Sequence, residues 1–192
     1  MNIVLFSGSF SPVHNGHVYL VKELLKDKEV DQVWLSVTPL NPLKEASDVW
    51  PIAFRKSLIR KVFESMPNVI LTEIEESLPS PLYTIHTLYA LKEKYKEYTF
   101  SLLVGEDNYR NITKWYSYKE LLENFSLYVF PREDDHDVVH QKSVDIPNVK
   151  WLKSPMIDVS STEIRNKAKN HEPIGNLVPY CIEEDIVNYI SM

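Results

Sequence analysis

The chain has little cysteine, little glycine, no excess of basic residues and no long apolar segment. Its one cysteine, Cys181, excludes an intramolecular disulfide, and its apolar helical context predicts a packing role rather than a catalytic one. Four glycines and 12 prolines among 192 residues give no sign of a fibrous or disordered protein. The formal net charge of −6 argues against a general nucleic-acid binder, because such proteins usually present a basic face to phosphates.

The N-terminal residues carry no basic segment, and their apolar run is shorter than a signal sequence or a membrane span requires. We therefore expect a cytoplasmic protein that makes no membrane contact. A length of 192 residues suits one domain with one substantial core. We assign residues 1–192 to a single domain whose C-terminal helical segment begins at about residue 161, and a homo-oligomer is one of the open alternatives for its assembly.

Short apolar runs alternate with segments of helical spacing along the chain. Ile3 to Phe6 predicts a buried strand, a helical pattern follows from Gly16, and Gln32 to Val37 predicts a second strand. The pattern continues with predicted helices at about 52–65, 84–95, 119–123 and from 161, and with predicted strands at 69–71, 99–104, 125–130 and 149–152. This alternation predicts an α/β, Rossmann-like fold in which helices cover both faces of an open parallel sheet.

Four polar segments each follow a predicted strand. They are Gly8 to His17, Thr38 to Lys44, Gly105 to Trp115 and Ser160 to Arg165. Because open parallel sheets bind ligands at the carboxyl ends of their strands, we expect these segments to converge on one rim of the sheet.

The first polar segment reads Gly-Ser-Phe-Ser-Pro-Val-His-Asn-Gly-His over residues 8–17 and places His14 and His17 at the start of a helix. Gly8 and Gly16 allow close backbone approach, a helix N-terminus presents free N–H groups, and imidazoles can donate hydrogen bonds to phosphate oxygens. Taken alone, the residues also fit a turn with structurally satisfied histidines. A metal pair is a weaker alternative, because no cysteine or third histidine lies nearby.

The last polar segment, Asp-Val-Ser-Ser-Thr-Glu-Ile-Arg over residues 158–165, opens a predicted helix. We expect Ser161 and Thr162 to be N-cap residues with free hydroxyls, and Arg165 to supply a permanent cation for triphosphate oxygens. Without other context the same residues fit a well-capped helix that binds no ligand.

These two segments resemble the paired signatures of the nucleotidyltransferase superfamily, Gly-Ser/Thr-Phe-x-Pro-x-His-x-Gly-His and Ile-Ser-Ser-Thr-x-Ile/Val-Arg. That superfamily also contains phosphopantetheine adenylyltransferases and cytidylyltransferases. Residues 38–44, 83–88 and 105–108, together with Trp115, resemble the pattern of bacterial nicotinate mononucleotide adenylyltransferases. The chain departs from the signature at Ser11, a position that usually carries Asp or Asn.

The resemblance implies a nucleotidyltransferase fold and the transfer of AMP from ATP to nicotinate mononucleotide, which forms deamido-NAD and pyrophosphate in NAD biosynthesis. It implies Mg²⁺ bound with ATP and no metal ligand from the protein. The implied catalytic residues are His14, His17, Lys44 and Arg165. The implied ATP contacts are Gly8, Ser9, Phe10, Gly16, His17, Gly105, Asp107, Ser160, Ser161, Thr162 and Arg165. The implied mononucleotide contacts are Ser9, Phe10, Lys44, Tyr83, Thr84, Asp107 and Trp115.

Several of these residues also have a structural interpretation. Trp115 would stack on the pyridine ring, but it also fits a half-buried core position. Thr84, at a predicted helix start, suits a pyridine carboxylate and favours nicotinate over nicotinamide, yet it fits a plain N-cap equally well. Arg55 lies in a predicted helix with Lys56 and Arg60, where charged residues usually form a solvated face.

Residues 131–148 are charged and rich in histidine, which predicts a surface loop. Their acidic tract at 133–137 fits a solvated loop better than a metal site. Two other functions remain as alternatives. One is adenylyl transfer to nicotinamide mononucleotide or a pantetheine phosphate, and the other is a non-catalytic nucleotide-sensing module, for which Ser11 is the one hint.

Overall fold

The computed structural model describes residues 1–38, 49–131, 148–153 and 159–191. Lys44 and nearly all of the predicted 131–148 loop lie outside the described residues. The strands are β1 (Asn2–Gly8), β2 (Gln32–Val37), β3 (Val69–Thr72), β4 (Thr99–Gly105), β5 (Ser126–Phe130) and β6 (Val149–Trp151). The helices are α1 (Asn15–Leu24), α2 (Ile52–Phe63), α3 (Thr84–Lys94), α4 (Glu106–Arg110), α5 (Tyr118–Asn124), α6 (Ser161–Lys169) and α7 (Tyr180–Ile190), with short 3₁₀ helices at Ile74–Ser77 and Ile112–Lys114.

The six strands form one parallel sheet in the order β3-β2-β1-β4-β5-β6. Ile3 of the central strand β1 pairs with Gln32 of β2 on one side and with Phe100 of β4 on the other. This order confirms the predicted Rossmann-like sheet. The direction of strand addition reverses between β1 and β4, and open sheets of this kind bind ligands outside the carboxyl ends of the strands at such a point.

Helices cover both faces of the sheet. Successive residues of β1 point to opposite faces, so each set packs against a different group of helices. Val4 and Phe6 pack with residues of α1, α2, α6 and α7. Ile3 and Leu5 pack with residues of α3, α4 and α5. Burial on both faces explains why β1 is a continuous apolar run rather than an alternating one.

The predicted elements occur within two residues of their expected ends, as α2 at Ile52–Phe63 and β4 at Thr99–Gly105 illustrate. The sequence pattern missed α4 and both 3₁₀ helices, which are too short to show a helical period. Cys181 is exposed on α7, so its predicted packing role is wrong. The buried side chains of α7 are Ile182 and Ile186. Cys181 precedes Ile182 by one residue, so its side chain points about 100° away around the helix.

No helix in the described part of the chain is both long enough and apolar enough to cross a membrane.

Candidate active site

A cleft of about 610 Å³ opens at the carboxyl ends of β1 and β4, at the expected position on the sheet. It brings together most of the predicted site residues: Gly8, Ser9, Phe10, His14, Gly16, His17, Thr84, Gly105, Asp107, Trp115, Ser160, Ser161 and Thr162. Tyr83 and Arg165 lie beside the cleft without lining it, and Lys44 lies outside the described residues.

Glycine is concentrated at this cleft, because three of the four glycines in the chain line it: Gly8, Gly16 and Gly105. At Gly8 the requirement is steric, since a Cβ atom there would lie 3.3 Å from the ring of Phe10. The side chain of Phe10 is buried, and its ring packs edge-on against Phe6. The backbone of Phe10 lies in the left-handed region, with φ at 44°. Gly8 therefore allows the turn after β1 to fold Phe10 back onto the strand.

His14 and His17 stack on each other at the cleft, with ring centroids 3.6 Å apart and 28° between the planes. His14 is the N-cap of α1, and its backbone N–H donates to Nδ1 of His17 at 3.2 Å. A ring nitrogen that accepts a hydrogen bond carries no hydrogen, so a neutral His17 bears its hydrogen on Nε2. The backbone of the motif thus selects the tautomer in which His17 donates from Nε2.

Ser11, the departure from the family signature, is buried and does not line the cleft. Its Oγ accepts the backbone N–H of Trp50 at 3.0 Å, and its carbonyl oxygen accepts from Nη1 of Arg165 at 2.7 Å. These contacts join the loop after β1 to two distant parts of the chain. The substitution therefore falls on a structural contact and gives no support to the non-catalytic alternative.

The start of α6 differs from the prediction that Ser161 and Thr162 are N-caps with free hydroxyls. The N-cap is Ser160, whose Oγ accepts the backbone N–H of Glu163 at 3.1 Å. The Ser161 hydroxyl donates to the carbonyl of Pro12 at 2.9 Å. The prediction was wrong because backbone angles decide which residue is the N-cap, and Ser160 is the one with an extended backbone. The sequence could not distinguish it, since the adjacent hydroxyl side chains have the same capping chemistry.

Arg165, expected to act on phosphates, is 8% exposed. Its Nη2 donates to Oγ1 of Thr162 at 3.2 Å, so the Thr162 oxygen accepts a hydrogen bond and its own hydrogen can still be donated. Because Thr162 lines the cleft, the guanidinium lies one side chain behind the cleft wall. Its positive charge therefore adds to the positive end of α6 from the second layer of residues.

The far wall of the cleft is built around the start of α3. Tyr83 is the N-cap, so Thr84 is the first helical residue rather than the cap. Thr84 lines the cleft together with Asp107 and Trp115. Trp115 is half-buried against the core on the α3 side of the sheet, so it meets the core interpretation and also lines the cleft. Tyr83 instead stacks on Tyr116, with centroids 4.3 Å apart.

Arg55 is buried, at 1% exposure, and the expectation of a solvated helix face is wrong at this position. Its Nε donates to the carbonyl of Trp50 at 2.7 Å, and its Nη1 donates to the carbonyls of Ser9 at 2.6 Å and Thr38 at 3.0 Å. Burial lowers the pKa of Arg55, but arginine stays charged at neutral pH. Ser9 and Thr38 line the cleft, so Arg55 holds the loop after β1 against the end of β2.

Ser7 and Thr38 were assigned no contact from the sequence, although Thr38 begins the polar segment predicted to follow β2. Ser7 and Thr38 line the cleft at the ends of β1 and β2. The available signal was their place at the carboxyl ends of two neighbouring predicted strands. Their small hydroxyl side chains, taken alone, carry no specific chemistry.

Asp107 is the one carboxylate among the described residues that line the cleft. Across residues 1–38, 49–131, 148–153 and 159–191, no three His, Cys, Asp or Glu side chains are grouped so that they could hold a metal ion. The polar groups of the described cleft wall are thus mainly hydroxyls, imidazoles and backbone N–H groups.

The family model described as cytidylyltransferase-like matches residues 5–167. The chain is 36% identical over 179 residues to a protein of Flavobacterium psychrophilum, covering 93% of this chain and 92% of that relative. It is 38% identical over 180 residues to a protein of Flavobacterium johnsoniae, with 93% and 92% covered. Both relatives are named "Probable nicotinate-nucleotide adenylyltransferase".

Among solved structures, the chain is similar to Plasmodium falciparum nicotinic acid mononucleotide adenylyltransferase complexed with NaAD. The TM-score is 0.82 at 18% identity, covering 98% of this chain and 95% of that chain, which shows a shared fold. Together with the family model and the two bacterial relatives, this places the protein by descent as well as by shape. The chain belongs to the cytidylyltransferase-like family, among the proteins that carry the name nicotinate-nucleotide adenylyltransferase.

Proposed function

We propose that this protein transfers AMP from ATP to nicotinate mononucleotide, forming deamido-NAD and pyrophosphate for NAD biosynthesis. The observation that carries the proposal is the layout of the cleft. The start of α1, with His14 and His17, and the start of α6 form its phosphate side. Thr84 and Trp115 form a side suited to a flat ring that bears a carboxylate. The names of the bacterial relatives support the same activity.

On the phosphate side, a protein of net charge −6 has to concentrate its attraction for anions locally. The N-termini of α1 and α6 present backbone N–H groups and the positive ends of their dipoles to the cleft. His17 adds a donor at Nε2, and Arg165 adds a cation behind Thr162. We expect Lys44 to join this group from the segment after β2.

The reaction is an in-line displacement at the α-phosphorus of ATP. A phosphate oxygen of the mononucleotide forms the new P–O bond as the bond to the β-phosphate bridging oxygen breaks, and pyrophosphate leaves. No side chain forms a covalent intermediate. The protein aligns two polyanions and stabilises the charge that builds on the reacting oxygens, which is the main task in phosphoryl transfer. Mg²⁺ would be supplied with ATP and would be held mainly by phosphate oxygens and water, where it would offset the charge of the phosphates.

Thr84 is the basis for choosing nicotinate as the acceptor. Thr84 lines the cleft at the first position of α3, and the first backbone N–H groups of a helix precede its hydrogen-bond pattern. Such a site favours a carboxylate over an amide. Trp115 offers a flat aromatic face to the same ring.

The activity is tested by incubating the protein with MgATP and one of three acceptors: nicotinate mononucleotide, nicotinamide mononucleotide or 4′-phosphopantetheine. Pyrophosphate release and product mass are followed together. We expect strong preference for nicotinate mononucleotide. Turnover with the amide alone would contradict the carboxylate site at Thr84, and turnover with the pantetheine phosphate alone would replace the proposed acceptor. ATP binding with no pyrophosphate release from any acceptor would favour a sensing module.

Trp115→Ala should raise the KM for nicotinate mononucleotide by about tenfold or more, because stacking on an aromatic face contributes roughly 1–3 kcal/mol. The KM for ATP should change little. Trp115→Phe, which keeps a flat ring, should recover most of the affinity. Steady-state kinetics with each substrate varied in turn measures these effects.

The matched control is Trp151→Ala, a tryptophan on β6 that is 39% exposed and does not line the cleft. It should leave both KM values unchanged. If both alanine variants raised the KM for the mononucleotide equally, the loss would reflect general loosening of the fold, and the stacking role would be refuted.

A further inference from the structure

A buried carboxyl group lies directly behind the wall of the cleft. Glu75 sits in the 3₁₀ helix after β3 and is 5% exposed. Ser7 donates from Oγ to Oε1 of Glu75 at 2.9 Å, and the same Oγ lies 3.2 Å from Oγ1 of Thr38. Ser7 and Thr38 both line the cleft. The carboxyl is therefore linked to the cleft surface through two hydroxyls.

Two more hydroxyls face this carboxyl, those of Ser36 on β2 and Thr87 on α3, and both residues are 1% exposed. Thr87 lies one turn after Thr84, which lines the cleft. Glu75 thus lies where the ends of β1 and β2 meet the first turn of α3. A change at this one carboxyl would reach three elements that form the cleft.

Among the residues that the structure describes, no cation pairs with Glu75. Its neighbours Glu73 and Glu76 are about half exposed, and both pair with Lys56 of α2, while Arg60 also pairs with Glu73. In the described part of the chain, the groups that face Glu75 from β1, β2 and α3 are hydroxyls. Burial raises the pKa of Glu75, and the surrounding hydroxyls offset only part of that effect.

Four hydroxyls surround the carboxyl, but among the described residues only that of Ser7 forms a hydrogen bond of ordinary geometry with it, which is few for a buried anion. An ionised carboxylate in the interior needs donors on both oxygens. Oε1 receives the Ser7 hydrogen bond, but Oε2 has no partner of ordinary geometry among the described residues, and neither does the Ser36 hydroxyl. A neutral acid fits this arrangement better, because its own O–H can donate to a hydroxyl oxygen that receives no other hydrogen bond.

The state of Glu75 decides which way the hydroxyl hydrogens near the cleft point. A carboxylate can only accept, so it would draw the hydrogens of Ser7 and Thr38 towards itself and turn their lone pairs to the cleft. A neutral acid accepts from Ser7 and donates its own hydrogen, which leaves Thr38 free to donate into the cleft. The second arrangement suits a polyanionic substrate.

We propose that Glu75 is a positioning residue, held as a neutral acid that accepts from Ser7, and that it leaves the hydroxyl of Thr38 free to donate to the anionic substrates of the cleft. The proposal rests on the adenylyl transfer proposed above. Ionisation of Glu75 would reverse the hydroxyl orientation and place a negative charge behind the substrate, so it would weaken substrate binding without removing any group from the cleft.

The test compares wild type, Glu75→Gln and Glu76→Gln over the range of about pH 5 to about pH 9, where a buried glutamate can titrate. Gln keeps the shape of the neutral acid and can both donate and accept. Near neutral pH, Glu75→Gln should keep both KM values within about threefold of wild type. As the pH rises, the wild-type KM should increase by about tenfold or more when Glu75 ionises, and this increase should be missing in Glu75→Gln.

Glu76→Gln is the matched control, since it removes an exposed carboxylate from the same turn and should keep the wild-type pH profile. Two results would overturn the proposal. One is a collapse of substrate binding in Glu75→Gln at neutral pH, which would show that the charged carboxylate is required. The other is an identical rise in KM with pH in all three proteins, which would assign the titration to another group.

A stability measurement keeps this test separate from turnover. Because the folded-state pKa of Glu75 is raised, the protonated carboxyl contributes stability that is complete below the unfolded pKa and is lost as the pH rises towards the folded pKa. Wild type should therefore lose free energy of unfolding relative to Glu75→Gln across that range. A difference in the free energy of unfolding between the two proteins that stayed constant with pH would refute the neutral acid.

If wild type lacked transferase activity, the MgATP dissociation constant from calorimetry would replace KM in the pH series. The two proposals can therefore fail independently.

Discussion

Replacing His17 with alanine should lower turnover by about 10²–10³-fold while leaving the protein folded, which is the loss seen when one donor to a developing charge is removed. His17 lines the cleft, and its Nδ1 is occupied by the backbone N–H of His14. A neutral His17 therefore carries its hydrogen on Nε2, and we expect this hydrogen to be donated to the reacting phosphates. Since this donor acts mainly on charge that develops in the transition state, kcat and kcat/KM should fall together.

The fold must be checked separately, because His17 also closes the first turn of α1. Loss of that contact should reduce the free energy of unfolding by about 1 kcal/mol, measured by denaturant titration. His171→Asn is the control, since this exposed histidine lies outside the cleft with φ at 57°, which asparagine tolerates. It should retain full turnover. Near-normal turnover of a folded His17→Ala protein would refute the proposed chemistry.

Much of the phosphate side of this cleft could be predicted from the sequence, because the signal is local. In residues 8–17, a strand end, a turn and a helix start follow one another, so Gly8 and His17 fall at the same rim whatever the rest of the chain does. The continuous apolar runs likewise predicted a doubly covered parallel sheet. The reversal of strand order between β1 and β4 then places the segment after Gly105 opposite the first turn.

The groups behind the cleft wall could not be predicted, because their burial depends on distant contacts. Arg55 bonds to the carbonyl of Ser9, 46 residues away, and helical spacing alone cannot show that carbonyls will face the helix there. The acidic run at 73–76 poses the same difficulty. Three glutamates stand within four residues, and only the packing of this 3₁₀ helix against β1 and β2 selects Glu75 as the buried one.

Arg55→Leu should produce the largest loss of stability among single changes around the cleft, about 3 kcal/mol or more in the free energy of unfolding. Leucine fills part of the space but leaves the carbonyls of Trp50, Ser9 and Thr38 without this donor, and an unsatisfied buried polar group costs roughly 1–3 kcal/mol. Arg55→Lys should lie in between, because an ammonium keeps the charge but cannot reproduce the planar fork of donors. Denaturant titration measures all three proteins.

Arg60→Leu provides the comparison within the same helix. Arg60 is 59% exposed at its side chain and pairs with the exposed Glu73, so its loss should leave the unfolding midpoint nearly unchanged. Below its unfolding midpoint, Arg55→Leu should also raise both KM values, because Ser9 and Thr38 line the cleft and lose the bridge that holds them together. Equal effects of the two leucine variants would show that Arg55 acts as an ordinary surface charge. A loss of stability with unchanged KM values would show that Arg55 supports the fold and does not position the cleft residues.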